Sequence, residues 1–247
     1  MFYADSHIHL QDYKTQDIKN IVTNAQKNKV ALFVNASSHP SDWNIVADLA
    51  KQYPQIIPAF GVHPWYVDNT PHNWSVCLEQ MLKANPRAWV GECGVDRLKN
   101  KDLAKQLSFF EPQVEIARTM DRPLIIHAVK ADEILSAYFS MLPERTIFHS
   151  FTGSVEWGKK IQQYGFFIGL NFSVLRKKNS EKIIKNIDLS RILLETDGPY
   201  QSGIPQVETL PQDLPLLAEK IASIRKISVD KLMQILEDNR QLFSGEK

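Results

Sequence analysis

The stretch Asp5-Ser6-His7-Ile8-His9 lies near the start of the chain, directly after the apolar residues Phe2-Tyr3-Ala4. As a β-strand, it places the side chains of His7 and His9 on the same face, because successive side chains alternate. Two imidazoles about 7 Å apart along one strand can converge on a metal ion, and histidine is the commonest metal ligand. Taken alone, the pattern fits a metal site and a buried strand with two hydrogen-bonded histidines equally well.

Short apolar runs alternate with amphipathic, helix-like segments along the rest of the chain. Eight strand-like runs end near residues 9, 36, 63, 92, 127, 149, 170 and 197. Repeated βα units with continuously apolar strands predict a parallel sheet covered by helices. Eight such units favour a (β/α)8 TIM barrel over an open doubly wound sheet. No Gly-rich dinucleotide motif follows the first strand, which also disfavours the open sheet.

Length and charge restrict the possible classes of protein. At 247 residues the chain has the length of one barrel, so we expect a single α/β domain over residues 1–247 with C-terminal helices. The net charge of +1 provides no global basic field of the kind that marks a nucleic-acid binder. A polyanion would therefore have to be recognised locally.

Cysteine usage and hydropathy bear on the compartment. Cys77 and Cys93 form no C-x-x-C motif and predict no disulfide framework, which fits a reducing compartment. No apolar run reaches the ~18 residues of a membrane span, and the first strand occupies the position of a secretory signal. We expect a cytoplasmic protein with no membrane partner; its oligomeric state is left open, with a monomer favoured.

Ionisable side chains collect where the predicted strands end. Five of the seven histidines lie there, together with two acidic residues, and the set is His7, His9, His63, Glu92, His127, His149 and Asp197. Barrel active sites lie at the carboxyl ends of the strands. A buried cluster of this size without a metal would leave many polar groups unsatisfied, so the pattern predicts a metal site.

The number of ligands favours two metal ions over one. A single tetrahedral catalytic site takes three protein ligands and a water, whereas this set offers more. Paired ions need a bridging group, and Glu92 lies on a middle strand where it can bridge. Two ions that activate a water and polarise a carbonyl or phosphoryl oxygen perform hydrolysis. The ligand types allow Zn²⁺, Mg²⁺ or Mn²⁺.

Six motifs in order resemble those of the TatD family of metal-dependent deoxyribonucleases, which belong to the amidohydrolase-type barrels. They are D-x-H-x-H at 5–9, G-x-H-P at 61–64, G-E-x-G-x-D at 91–96, the lone His127, H-x-F-x-G at 149–153 and E-T-D-x-P at 195–199. The resemblance continues to the segment at 239–243. It implies a barrel hydrolase with two divalent metal ions, acting as a 3′–5′ exonuclease on DNA ends. A single strand suits a deep barrel mouth better than an intact duplex does.

The resemblance also implies roles for individual residues. His7, His9 and Asp197 hold one ion, Glu92 bridges, and His127 and His149 hold the second. Asp197 also accepts a proton from the attacking water, and His63 meets the substrate phosphate. Asp96 orients a ligand, and Cys93 is expected to point away from the metals because it alternates with Glu92.

The expected substrate contacts are His63, Lys130, Arg97 and Trp65. The family usually has an arginine where this chain has Val129, and Lys130 can substitute only as a point charge. Trp65 fits both stacking on a base and packing as part of a lid. Two other functions stay open: hydrolysis of an amide, ester or small phosphoester on the same metals, and a binding module that has lost its chemistry.

Overall fold

The computed structural model describes residues 1–99, 101–204 and 206–245. The strands are β1 (Tyr3–Ile8), β2 (Val30–Ala36), β3 (Ile56–Phe60), β4 (Trp89–Asp96), β5 (Leu124–Val129), β6 (Thr146–Phe148), β7 (Phe167–Leu170) and β8 (Ile192–Leu194). The α-helices are α1 (Ile18–Lys27), α2 (Trp43–Gln52), α3 (Trp74–Ala84), α4 (Leu103–Thr119), α5 (Asp132–Ser136), α6 (Val155–Gln163), α7 (Phe172–Leu175), α8 (Ser180–Asn186), α9 (Leu214–Arg225) and α10 (Val229–Ser244).

The strands follow one another in chain order, from β1 to β8, in an eight-stranded sheet. The pairs β3–β4, β4–β5, β5–β6 and β7–β8 are parallel. Most of the predicted strand ends lie within three residues of the observed ones; β4 runs on to Asp96, because its second half continues to pair with β5. The eight apolar runs therefore did identify the strands.

The chain divides into two compact units. The first contains the residues up to Val34 and from Ser150 onward, and the second contains Asn35–His149. In the first unit, α9 and α10 pack on β1 and β8. In the second, α4 packs along β4, and α2 and α3 pack on β3. The expected single domain over 1–247 stays a prediction, and its last two residues lie outside the described ones.

Buried side-chain amides complete the backbone hydrogen bonding where strands end. In α4, the Gln113 amide accepts a hydrogen bond from the Val62 N–H (2.8 Å) and donates to the Val62 carbonyl (3.2 Å). Gln106 makes the same pair of bonds with the backbone of Asp96, at 2.7 and 3.2 Å. Because buried backbone groups need partners, these two amides hold the ends of β3 and β4 in place.

Asn239 has a similar role in the first unit. Its side chain is buried, and its amide nitrogen donates to the carbonyls of Leu189 (2.7 Å) and Ile192 (2.8 Å). The two bonds join α10 to the beginning of β8. Asn239 thus contributes to positioning the strand that precedes Asp197.

We predict that Asn239→Ala lowers the free energy of unfolding by about 2 kcal/mol, because two buried carbonyls lose their donor. Asn239→Asp should cost more, since a carboxylate would face both carbonyls. Gln241→Ala, which removes an exposed side chain from the same helix, is the matched control and should change stability by less than about 0.5 kcal/mol. Urea unfolding followed by circular dichroism measures all three. Equal stability of Asn239→Ala and the unsubstituted protein would contradict the role given to Asn239.

Candidate metal centre

In the first unit, three buried side chains converge at the ends of β1 and β8; we call His7, His9 and Asp197 the His7 cluster. The Nε2 atoms of His7 and His9 are 3.1 Å apart. Asp197 Oδ1 lies 3.7 Å from the first of these atoms and 3.6 Å from the second. All three side chains are at most 5% exposed.

The backbone around β1 and β8 sets this geometry. Asp197 donates its backbone N–H to the His7 carbonyl (2.9 Å), and the His9 N–H donates to the Gly198 carbonyl (2.7 Å). Asp197 has a φ of 55°, a left-handed conformation that directs the chain back toward β1. Asp5 adds a side-chain connection, since its carboxylate accepts from the Thr196 N–H (2.9 Å) and hydroxyl (2.5 Å).

In the second unit, a larger group lies on β4 and β5 and just after β3 and β6. We call His63, Glu92, His127 and His149 the Glu92 cluster. Glu92 Oε1 is 2.8 Å from His127 Nδ1 and 2.6 Å from His149 Nε2. These two nitrogens are 3.2 Å apart, and His63 Nε2 lies 3.4 Å from the same oxygen. One carboxylate oxygen therefore faces three imidazoles.

A bulge in β4 directs Glu92 into this cluster. Val90 pairs with Leu124 and Cys93 with Ile126, so β4 contains one more residue than β5 over this interval. Such bulges re-aim side chains beside active sites. Gly94 follows with a φ of 144°, and a Cβ there would lie 2.0 Å from the carbonyl oxygen of His127. Only glycine permits that approach of β4 to β5.

Backbone hydrogen bonding determines the tautomer of His63. The Trp65 N–H donates to His63 Nδ1 (3.1 Å), so Nδ1 carries a lone pair and Nε2 carries the proton in the neutral ring. An Nε2 that holds a proton has no lone pair for a metal. Burial lowers the pKa of His63 to about 4, against the opposing effect of Glu92. A neutral His63 ring with Nε2 protonated can therefore donate a hydrogen bond.

Asp96 lies beside His127, within hydrogen-bonding distance of its ring. Asp96 Oδ2 is 3.3 Å from His127 Nε2 and accepts from the indole N–H of Trp65 at 2.7 Å. Although burial opposes it, hydrogen bonding to Asp96 and Glu92 raises the pKa of His127 to about 9. The negative field that attracts a proton here also favours a bound cation, with Nε2–H on Asp96 and Nδ1 available as a ligand.

The donor set fits divalent metal ions. Ligands 2.0–2.1 Å from a tetrahedral ion lie about 3.4 Å from one another. The separations in the His7 cluster, 3.1 to 3.7 Å, are close to that spacing, and its three ligand atoms form a group suited to a metal. In the Glu92 cluster, His127 Nδ1, His149 Nε2 and Glu92 Oε1 converge at 2.6 to 3.2 Å. Buried imidazoles with a carboxylate are a usual ligand set for zinc and related ions.

Comparison with known proteins identifies the family. Residues 4–244 match the model described as "TatD related DNase". The chain belongs to this family. An uncharacterized metal-dependent hydrolase of Buchnera aphidicola is 29% identical, with 99% of this chain and 100% of that protein covered. The 3′-5′ ssDNA/RNA exonuclease TatD of Edwardsiella piscicida is 28% identical over 92% of this chain and 93% of its own length.

A solved structure supports the fold. The crystal structure of YJJV, a TatD homologue from Escherichia coli K12, superposes with a TM-score of 0.90 at 24% identity, covering 98% of this chain and 97% of that one. The (β/α)8 barrel class is thereby confirmed. The match to the TatD-related DNase model, together with relatives named metal-dependent hydrolases, confirms the predicted enzyme class, a metal-dependent hydrolase. Within the described ranges, no helix combines the length and apolar character that crossing a membrane requires.

The remaining predicted site residues of this TatD-family chain, Trp65, Arg97 and Lys130, follow β3, β4 and β5. Arg97 and Lys130 are exposed, and the Arg97 N–H donates to the Val129 carbonyl at 3.0 Å. Trp65 is 45% exposed. Cys93 is fully buried, with its sulfur 3.7 Å from the Ile125 carbonyl oxygen. The expectation that Cys93 points away from the metals stays a prediction.

Sequence reasoning missed the glutamines that support the site. Gln106 and Gln113 are seven residues apart in α4 and therefore lie on one helix face. Two polar residues on the buried face of a helix are the signal that could have revealed them. Glu195 was noticed only as part of a motif; it is buried and accepts hydrogen bonds from the Ser150 N–H (2.5 Å) and the Asn171 amide (3.3 Å).

We predict that Asp96→Asn weakens the metal affinity of the Glu92 cluster about 10- to 100-fold. In Asp96→Asn, an amide NH2 would replace the Oδ2 atom. It would face the N–H groups of Trp65 Nε1 and His127 Nε2, and two donors cannot form a hydrogen bond with each other. Competition with a chromophoric chelator measures the affinity. The matched control is Asp102→Asn, an exposed helix cap whose oxygen still accepts from the Lys105 N–H. Unchanged affinity in Asp96→Asn would show that Asp96 does not orient His127.

The two cysteines should differ in reactivity. Burial, reinforced by the neighbouring Glu92 charge, raises the pKa of the Cys93 thiol, so the thiolate that reacts with iodoacetamide is scarce. Cys77 is partly exposed. We expect alkylation of the native protein at pH 8 to modify Cys77 alone, as read by peptide mass spectrometry. Unfolding in urea is the control and should expose both thiols; rapid native labelling of Cys93 would contradict its placement.

Proposed function

We propose that this protein is a metal-dependent deoxyribonuclease that removes nucleotides from the 3′ end of single-stranded DNA. The observation that carries the proposal is the convergence of buried imidazole and carboxylate ligands in two clusters of a TatD-family chain. A relative 28% identical to it is named as a 3′-5′ ssDNA/RNA exonuclease. Divalent ions bound here would supply Lewis acidity and an activated water.

The metal ligands are proposed as the family resemblance gives them. His7, His9 and Asp197 would hold one ion, and His127 and His149 with Glu92 would hold a second. The bridging role of Glu92 stays a prediction. Imidazole ligands suit Zn²⁺, and carboxylates also admit Mn²⁺ and Mg²⁺.

Two residues have separate chemical roles in this proposal. Asp197 is buried beside two imidazoles and accepts the proton that the attacking water loses, a role that suits a carboxylate. His63 keeps its Nε2–H, because Trp65 occupies Nδ1, and donates that hydrogen to a non-bridging phosphate oxygen of the substrate. A neutral donor can bind the phosphate without itself being a metal ligand.

Substrate binding is assigned to the exposed side chains that surround the Glu92 cluster. Arg97 and Lys130 follow adjacent strands, β4 and β5, and would neutralise phosphates of the strand. Trp65 is assigned to the same group of substrate contacts. We also propose that the protein acts as a monomer in the cytoplasm.

The test is a nuclease assay on 5′-labelled single-stranded DNA with Mg²⁺, Mn²⁺ or Zn²⁺. We expect a ladder that shortens from the 3′ end, loss of activity with EDTA and recovery when excess metal is added. Glu92→Ala should lower the rate more than about 100-fold, because it removes a carboxylate on which the metal ligands converge. His72→Ala, which removes an exposed histidine, is the control and should retain full activity.

Other outcomes would contradict parts of the proposal. No shortening of DNA with any of the three metals would rule out the nuclease. If the protein instead hydrolyses members of a panel of esters, amides and phosphomonoesters, the same metal site acts on that alternative class of substrate. Full activity of Glu92→Ala would rule out the metal role of the Glu92 cluster.

A further inference from the structure

Trp65 is an exposed aromatic ring held at the border of the Glu92 cluster. Trp65 is 45% exposed, whereas the other four tryptophans are at most 8% exposed. The ring centroids of Trp65 and His63 are 4.9 Å apart, in an edge-to-face arrangement. A large apolar ring that stays open to solvent beside buried polar groups is suited to contacting a ligand.

The ring is fixed in position by the polar groups next to it. The indole N–H donates to the buried carboxylate of Asp96 at 2.7 Å, and the backbone N–H donates to His63. Packing as a mobile lid would not require either bond. An aromatic surface fixed in advance loses little conformational entropy when a planar ligand stacks on it.

Lys99 covers the ring with a charge that can move away. Its ammonium lies 5.0 Å from the centroid of the Trp65 ring. The backbone of Lys99 is held by Asp96 Oδ1 at 2.9 Å, but its side chain is exposed. A cation–π contact at an exposed site is weaker than the stacking of a base on an aromatic ring, so a base can displace the ammonium.

We propose that Trp65 is the stacking platform for an unpaired nucleobase of the substrate, and that the displaced Lys99 ammonium meets a phosphate next to that base. The inference rests on the proposed nuclease function. A strand whose phosphate meets His63 carries a neighbouring base toward Trp65, because the two rings are in contact. Stacking accepts every base, so the platform would bind single strands without regard to sequence.

The first test uses tryptophan fluorescence. The titrant is a single-stranded oligonucleotide whose 3′-terminal linkages are phosphorothioates, which slow cleavage, compared with the same strand made abasic at its 3′-terminal positions. We expect the strand with bases to quench the Trp65 emission and the abasic strand to leave it nearly unchanged. Trp65→Phe should remove the quenching signal. Equal quenching by both strands, or none by either, would overturn the proposal.

The second test separates stacking from a structural role by kinetics. Trp65→Ala should raise KM for the normal strand about tenfold with kcat within about threefold, and should abolish the preference for the normal over the abasic strand. Trp65→Phe loses the hydrogen bond to Asp96 but keeps a ring, so it should stay within about threefold of the unsubstituted KM. Leu98→Ala, an exposed neighbour, is the control and should change neither constant.

The outcomes distinguish this inference from the proposed function. Equal defects in Trp65→Phe and Trp65→Ala would assign Trp65 to supporting Asp96 and overturn the stacking role. If the unsubstituted protein cleaves DNA but treats normal and abasic strands alike, only the stacking inference fails. If it cleaves no DNA, the proposed function fails, and the fluorescence titration decides by itself whether Trp65 stacks on bases.

Discussion

The contact of the Glu92 carboxylate with the imidazoles of His127 and His149 is the interaction on which the site depends. Both nitrogens lie within 2.8 Å of one carboxylate oxygen, and Glu92 is 3% exposed. A buried carboxylate without partners would be costly, so β4, β5 and β6 must be placed where these side chains can meet. The bulge in β4 and Gly94 satisfy this requirement, because they bring the two strands together and direct Glu92 into the cluster.

Around this contact, buried side chains form hydrogen bonds with backbone groups that have no partner in the sheet. Gln106 and Gln113 satisfy both backbone groups of the residues they hold. Asp5 accepts from the backbone N–H and the hydroxyl of Thr196. Residues at strand ends are ordinarily among the less constrained parts of a sheet, because one side of the backbone lacks a partner. Here buried hydrogen bonds hold them, so the ligands that follow the strands are positioned before any substrate arrives.

Much of the fold, and the convergence of most of the proposed metal ligands, could be predicted from the sequence. Eight apolar runs predicted eight strands, because a strand buried on both faces needs a continuous run of such residues. The alternation rule predicted that His7 and His9 face the same way, and their Nε2 atoms are 3.1 Å apart. The bulge at Glu92 and the tautomer of His63 could not be predicted, since each depends on a hydrogen bond or a pairing that local patterns do not encode.

The sequence by itself therefore determined the barrel class, the family and which residue types end the strands. These properties depend on short-range periodicity and on motif order, which a linear chain displays directly. The tertiary structure decided that His127 Nε2 faces Asp96, that the same carboxylate accepts from the Trp65 indole, and that Lys99 lies over that exposed indole. Those facts depend on contacts between residues that are distant in sequence, and only the packing of strands and helices brings such residues together.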